Sequence, residues 1–366
     1  NLNINYPVYF CDDLFASKNS ENNQLAKICR GKKIMLVIDK NVNKIYGAAI
    51  KRFFDSISQE YLTYELVASE DNKSLGKVES LCKTAKTFGI QRDSIFIAIG
   101  GGITMDIVGF AAFIYRKKIS YIRIPTTLVG VVDAGVGVKV GVNFERSKNF
   151  IGGYYPPLAV FNDQTFLKTL TSKEIKCGLF EILKMAIIKD KRLFDLIRTH
   201  YNDFFENELN LRTHEISYLA ALLMMEELET NLFEANLQRY VDFGHTFSPF
   251  LETSLDYEIP HGEAVGMDIL LSTSIALNKK LIKREDFDSI FQLIKSIGFS
   301  KKHALPDPKK LHASLSEIRM HRAGNLNLVL PVKIGAAIFT NECSLLEIER
   351  SIQFLHSTNL FNSQRL

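Results

Sequence analysis

The chain has 366 residues, 46% hydrophobic and 23% charged, which is enough for about two domains and ordinary for a soluble globular protein. A net charge of +4 is too mild to imply a nucleic-acid surface, and no stretch approaches the roughly 20 apolar residues that span a bilayer. Neither a nucleic-acid nor a membrane partner is expected. Five cysteines, Cys11, Cys29, Cys82, Cys177 and Cys343, lie far apart with no CxxC pair. They read as the reduced thiols of a cytoplasmic protein rather than a disulfide framework, and "NLNINYPVYFCDD" carries no signal-peptide pattern.

In chain order, "KIMLVIDK" is a short apolar, β-branched run that reads as a strand, followed by a helical pattern in "NKIYGAAIKRFFDSI". "YLTYELVA" (strand), "LGKVESLCKTAKTFG" (helix), "SIFIAIGGG" (strand), "ITMDIVGFAAFIY" (helix) and "ISYIRIPTTL" (strand) continue the alternation, which points to parallel βαβ units. From "SKEIKCGLFEILKMAIIKD" onward the period is helical, with candidate helices Lys173–Lys189, Leu211–Asn231, Pro260–Lys280 and Arg284–Ile297. "NLNLVLPVKIGAAIF" reads as a small hairpin. The expected fold is an α/β nucleotide-binding domain at 1–165 followed by a mostly α-helical, metal-binding domain at 166–366. Their boundary falls within Pro156–Thr171, and a cleft between such domains is a usual ligand site. No internal repeat or low-complexity tract is evident.

Several motifs carry chemistry. Gly100 to Gly102 stand between a buried strand and a helix, either as a purely structural tight turn or where small backbone and free N–H groups admit a pyrophosphate, although the GxGxxG fingerprint is absent. Asp106 follows one helical turn later. Asp39 ends its strand either to hold a ribose hydroxyl or to cap the next helix. "PTTLVGVVDAGVGVKVGVNFERSKNFIGGYYPP" combines recurrent glycines with Thr126, Thr127, Asp133, Lys139, Asn143, Lys148 and Asn149. Cations on a tight backbone suit an anionic, hydroxyl-rich ligand such as a sugar phosphate, while any single lysine is as readily a solvated one. Glu181 and Lys184 share one face of an apolar helix, either as a plain ion pair or as part of a site. Two of the eight histidines, His245 in "GHTF" and His261 in "HGEAVGM", sit in similar small-residue settings. They are either helix-end or core histidines with local hydrogen bonds or, with Glu181, a two-histidine, one-carboxylate set that leaves a metal an open position.

In these residues the chain resembles the sugar phosphate cyclases, the superfamily of 3-dehydroquinate synthase. The motifs are "GGGITMD", "PTTL", "VDAGVGVKVGVN", "KNFIG", ExxK, "GHTF" and "HGEAVGM". The resemblance implies an NAD-binding N-terminal domain, a helical metal domain holding zinc or cobalt, and a homodimer. It implies the metal ligands Glu181, His245 and His261. It places Asp39, Glu70, Lys73, Gly101, Gly102, Asp106, Thr126 and Thr127 on the NAD side. It implies Asp133, Lys139, Lys148, Asn149, Lys184 and Glu234 as catalytic groups. Asp242, Arg239, Lys117 and His321 are expected at the substrate, with Arg116 and Arg322 as further phosphate contacts.

The departures from dehydroquinate synthase are specific. That enzyme reads NxGHTxxH around its first metal histidine, whereas this chain has Asp242 for the asparagine and Pro249 for the second histidine. Met224 stands where a lysine is expected. A pocket that has lost cations and gained an acid should not favour a carboxylate. It looks instead like the branch acting on sedoheptulose 7-phosphate, and most like the 2-epi-5-epi-valiolone synthases; synthases of 2-epi-valiolone or desmethyl-4-deoxygadusol use the same substrate. The alternatives are 3-dehydroquinate synthase itself, an iron-type polyol dehydrogenase that would release NADH, and a catalytically silent NAD-binding regulatory protein.

Overall fold

The computed structural model describes residues 4–16, 23–145, 147–206, 210–254, 258–358 and 360–361. The side chain of His321 lies outside the described residues, so its expected substrate contact does too. The chain divides into two compact units, Asn1–Thr169 and Leu170–Leu366.

The first unit runs β1 (Val8–Cys11), α1 (Gln24–Cys29), β2 (Ile34–Asp39), α2 (Lys40–Ser56), β3 (Tyr61–Leu66), α3 (Leu75–Phe88), β4 (Ile95–Gly100), α4 (Gly102–Ile114), β5 (Ser120–Pro125), β6 (Lys139–Phe144), β7 (Ser147–Tyr154) and β8 (Ala159–Asp163). Six strands form a parallel sheet in the order β1-β8-β5-β4-β2-β3. Alternate residues of each central strand serve opposite faces. Met35, Val37, Phe96 and Ala98 join one core with α3 and α4, while Leu36, Ile38, Ile97 and Ile99 join another with α1 and α2. Burial on both faces explains why these strands read as continuous apolar runs. The sequence reading missed β1, β8 and α1, and assigned no strands to the glycine-rich stretch that holds β6 and β7. Those two strands form a separate antiparallel hairpin.

The second unit contains α5 (Ser172–Lys189), α6 (Lys191–His200), α7 (Leu211–Glu229), α8 (Ser248–Ser254), α9 (His261–Asn278), α10 (Arg284–Ile297), α11 (Pro308–His321), the antiparallel pair β9 (Leu328–Lys333) and β10 (Ala336–Thr340), and α12 (Leu345–Ser357). All four expected helices and the hairpin are present. A capping box at Thr171 and Glu174 starts α5. Helices α5 and α9 are buried along most of their length and pack closely. A Cβ at Gly262 would stand 2.4 Å from the Cys177 backbone, so only glycine permits this approach. No described helix is long and apolar enough to cross a membrane.

Candidate active site

In the helical unit the α5–α9 approach brings Glu181 beside the first residue of α9, His261. The loop before α8 adds His245. One ligand atom from each lies within 4.8 Å of the others. Glu181 Oε1 is 3.4 Å from His261 Nε2 and 3.8 Å from His245 Nε2. Two ligands held about 2.1 Å from one tetrahedral ion stand roughly 3.4 Å apart, so the spacing fits a divalent metal.

The surroundings fit as well. Glu181 is fully buried among apolar residues, yet neither carboxylate oxygen accepts a well-aligned hydrogen bond. Lys184 Nζ stands 2.8 Å from Oε2, as the i,i+3 spacing leads one to expect. Desolvation opposes ionisation of Glu181, but Lys184 and the two histidines overcome it and hold the carboxyl well below its ordinary range. A buried anion with unfilled acceptors is the feature a cation would satisfy. Both imidazoles are fixed through their other nitrogen. His261 Nδ1 is 2.9 Å from Glu252 Oε1, and His245 Nδ1 is 3.2 Å from the Phe243 carbonyl. The Nε2 atoms are thereby left facing Glu181. Desolvation works against a charged His261, but Glu181 and Glu252 outweigh it and push the imidazole up to about 10. The point where the three groups meet therefore favours positive charge, whether carried by a proton or by a metal.

Sequence reasoning missed two supports of this cluster. Glu252 lies on α8 and has no local signal beyond its helix. Asp268 lies on α9 seven residues after His261, a spacing that places both on one helix face. It accepts from the Phe247 and Ser248 amides at 2.5 and 2.9 Å and from Ser272 Oγ at 2.8 Å. One helix thus supplies a ligand and also anchors the segment that follows the other. Burial raises the Asp268 carboxyl to about 6 despite these bonds.

The loop before His245 departs from expectation. Asp242 is not an acid in a pocket emptied of cations. Arg239 Nη2 stands 2.6 Å from Asp242 Oδ1, and Arg322 Nη2 stands 3.0 Å from its Oδ2. Arg239 also pairs with Glu234. Arg322 donates to the Leu326 carbonyl at 2.6 Å. The cations are present, but neighbouring carboxylates take up their charge. Met224 is buried core and Pro249 is exposed.

In the sheet unit, α4 begins at Gly101 with no side-chain cap, so its first N–H groups have no side-chain acceptor. A Cβ on Gly101 would press Thr127 Cγ2 at 3.2 Å. Gly102 opens the helix, and buried Thr126 donates its amide to the Gly100 carbonyl. This open, side-chain-free helix start fits a dinucleotide pyrophosphate. Asp39 caps α2, accepting from the Asn41 and Val42 amides at 2.8 and 3.2 Å. Both bonds fall on Oδ1, so capping leaves the ribose role open. Lys73 and Asp106 form an ion pair at 2.5 Å, and Glu70 lies 3.6 Å from Lys148.

Asp133 sits in the turn Gly130–Ala134, and Lys139 is exposed at the start of β6. Sequence reasoning did not foresee that fully buried Arg123 braces this loop. Its guanidinium donates to the carbonyls of Gly135 at 3.3 Å, Lys139 at 3.0 Å and Gly137. Asn149 has a left-handed backbone on β7. Lys117 is exposed in a turn where Arg116, Lys117 and Lys118 all have positive φ, and Arg116 Nε donates to the Ile90 carbonyl at 3.1 Å.

Residues 63–177 match the family profile "3-dehydroquinate synthase N-terminal", and residues 178–320 match "3-dehydroquinate synthase C-terminal". A 2-epi-5-epi-valiolone synthase of Actinomyces sp is 40% identical over 328 residues, covering 87% of this chain and 86% of the relative. The same enzyme from Streptomyces glaucescens is 39% identical over 341 residues, covering 91% and 86%. A solved 2-epi-5-epi-valiolone synthase from Streptomyces hygroscopicus subsp. jinggangensis 5008, with NAD+ and Zn2+ bound, superposes with a TM-score of 0.93 at 34% identity and covers 98% of both chains. With both profiles matched in order and such identity sustained over most of its length, the chain belongs to the 3-dehydroquinate synthase family of sugar phosphate cyclases.

Proposed function

We propose that the protein is an NAD- and metal-dependent cyclase that converts sedoheptulose 7-phosphate to 2-epi-5-epi-valiolone with release of phosphate. The fit of Glu181, His245 and His261 to one ion supports metal dependence. The observation that carries the substrate assignment is Asp242 held between Arg239 and Arg322. Arginines already neutralised offer little to a substrate carboxylate, which disfavours 3-dehydroquinate synthase activity.

When bound, NAD would take up and return a hydride and a divalent metal would polarise a substrate oxygen, so the cofactor is not consumed. The chain itself supplies the remaining functions. Glu181, His245 and His261 hold the metal, and Lys184 stabilises negative charge that develops on oxygen beside it. Lys139, Lys148 and Asn149 bind the phosphate and hydroxyls, and Asp133 orients a hydroxyl. Phosphate leaves by β-elimination and acts as its own base. Ring opening and an intramolecular aldol closure then form the cyclitol. Glu234 serves as the charge partner of Arg239 rather than as a free base. Glu70, Lys73, Asp106, Thr126, Thr127, Asp39 and the Gly101–Gly102 turn receive NAD. Lys117 and Arg116 reach a phosphate across a homodimer.

The test is incubation of metal-loaded protein and NAD+ with sedoheptulose 7-phosphate, and separately with the dehydroquinate synthase substrate. Free phosphate is followed and the product identified by NMR. Phosphate from the heptulose alone, without net NADH, and a 2-epi-5-epi-valiolone spectrum are expected. A different cyclitol would move the assignment to a sister cyclase, and phosphate only from the carboxylated substrate would overturn it. Net NADH would indicate a dehydrogenase. No turnover and no thermal shift on adding NAD+ or chelator would indicate a silent protein.

A further inference from the structure

We propose that Asn143 is a positioning residue that links occupancy of the dinucleotide segment 70–73 to the placement of Lys148 and Asn149 on the β6–β7 hairpin. The inference rests on the functional assignment above for the roles of the groups it joins. Asn143 is placed at a break in the hairpin. Strand pairing runs from Val142↔Ile151 to Phe144↔Ser147, with a register shift between Val142 and Phe144. Asn143 is skipped, so its amide and side chain are available to another segment.

Its polar groups point in two directions. The Asn143 amide donates to the Lys73 carbonyl at 2.8 Å. Its Nδ2 donates to Glu70 Oε2 at 2.8 Å and to the Glu70 carbonyl at 3.3 Å. Its Oδ1 accepts from the Asn149 amide at 3.0 Å, holding that residue in its left-handed conformation. Two ion pairs extend the path: Lys73 to Asp106 on α4 at 2.5 Å, and Glu70 Oε1 to Lys148 at 3.6 Å. The side chain therefore stands between the groups proposed to meet NAD and those proposed to meet the substrate phosphate.

The chemistry of the position requires an amide. Only Asn offers a donor and an acceptor at this length: Asp would set a second carboxylate against Glu70, and Ala would release both arms. A dinucleotide that orders Glu70 and Lys73 would order Asn149 and Lys148 through Asn143. A plain structural staple would lower stability without transmitting anything.

Hydrogen exchange of the full-length, metal-loaded protein with and without NAD+ separates these roles. In the wild type, NAD+ should protect both segment 70–106 and hairpin amides 147–154. In Asn143→Ala, NAD+ affinity should change by less than about threefold and protection should stop at the first segment. The kcat/KM for sedoheptulose 7-phosphate should fall about tenfold or more, mostly through KM. Asn143→Asp keeps the acceptor for Asn149 while opposing Glu70, so it should lose the transmitted protection with the hairpin still ordered. It decides the matter if the alanine variant does not fold. Equal hairpin protection in wild type and variants, or lost stability with unchanged kcat/KM, would overturn the inference. A wild type that binds NAD+ and turns over while its hairpin gains no protection overturns the coupling alone. A wild type that does not bind NAD+ overturns the functional assignment and this inference together.

Discussion

In the helical unit, Lys184 and Glu181 face each other at 2.8 Å with at most 1% of either side chain exposed. In the sheet unit, Lys148 and Glu70 stand 3.6 Å apart with 27% and 39% exposed. The first pair is desolvated, fixed on one long helix, α5, and leaves carboxylate acceptors that a further cation would fill. The second is screened by water and can rearrange when a ligand enters. Under the proposed function, the difference suits the rigid helical cluster to charge stabilisation and the hairpins and turns of the sheet unit to adaptable recognition.

The comparison can be broken most sharply at Glu181. Glu181→Gln keeps the shape and breaks the buried Glu181–Lys184 ion pair by removing its negative partner. Stability should fall by about 3–5 kcal/mol. Bound divalent metal should vanish by elemental analysis, and turnover should drop on the order of 10^3-fold, equivalent to several kcal/mol of lost polarisation. A variant that keeps its metal would end the claim that this cluster is the metal centre.

The sheet unit has a fully buried cation of its own, Arg123. Arg123→Lys cannot span the Gly135, Gly137 and Lys139 carbonyls. Urea unfolding should show a loss of about 3 kcal/mol, because buried carbonyls lose their donors. An unchanged midpoint would mean the loop does not depend on this brace.

Asp268 gives a pH signature. Its folded carboxyl is raised to about 6 from an ordinary 3.8, so between those values the native state holds a proton the unfolded chain has released. Its contribution to stability must fall as pH rises from about 4 to 6, by at most roughly 3 kcal/mol, and then level off. The difference between wild type and Asp268→Asn in urea midpoint across that range measures it, and a flat difference would contradict the assigned burial.

Glu252→Gln tests how far His261 depends on its partner. Metal affinity by competition with a chelator should weaken about 10- to 100-fold while the fold persists. The smallest effect is expected at Glu70. Glu70→Gln keeps an acceptor for Asn143 and removes only a screened ion pair, so stability should change by less than about 1 kcal/mol. A large loss there would erase the contrast between the two units.

Much of the fold and the metal set was legible from sequence because both rest on local pattern. Apolar runs such as "IFIAIG" mark strands buried on two faces, and the periodic stretches 173–189 and 284–297 mark helices. Glu181 with His245 and His261 was legible because few other residue types bind a metal and because the motifs ExxK, "GHTF" and "HGEAVGM" resemble those of the sugar phosphate cyclases. The β6–β7 hairpin was not, since its glycines weaken the strand signal. Only the tertiary structure decided that Glu252 orients His261, that Arg322 closes on Asp242, and that Asn143 joins Glu70 across 73 residues of sequence. Periodicity records which face of an element is buried. Partners distant in the chain leave no periodic trace, because what brings them together is the packing of whole elements.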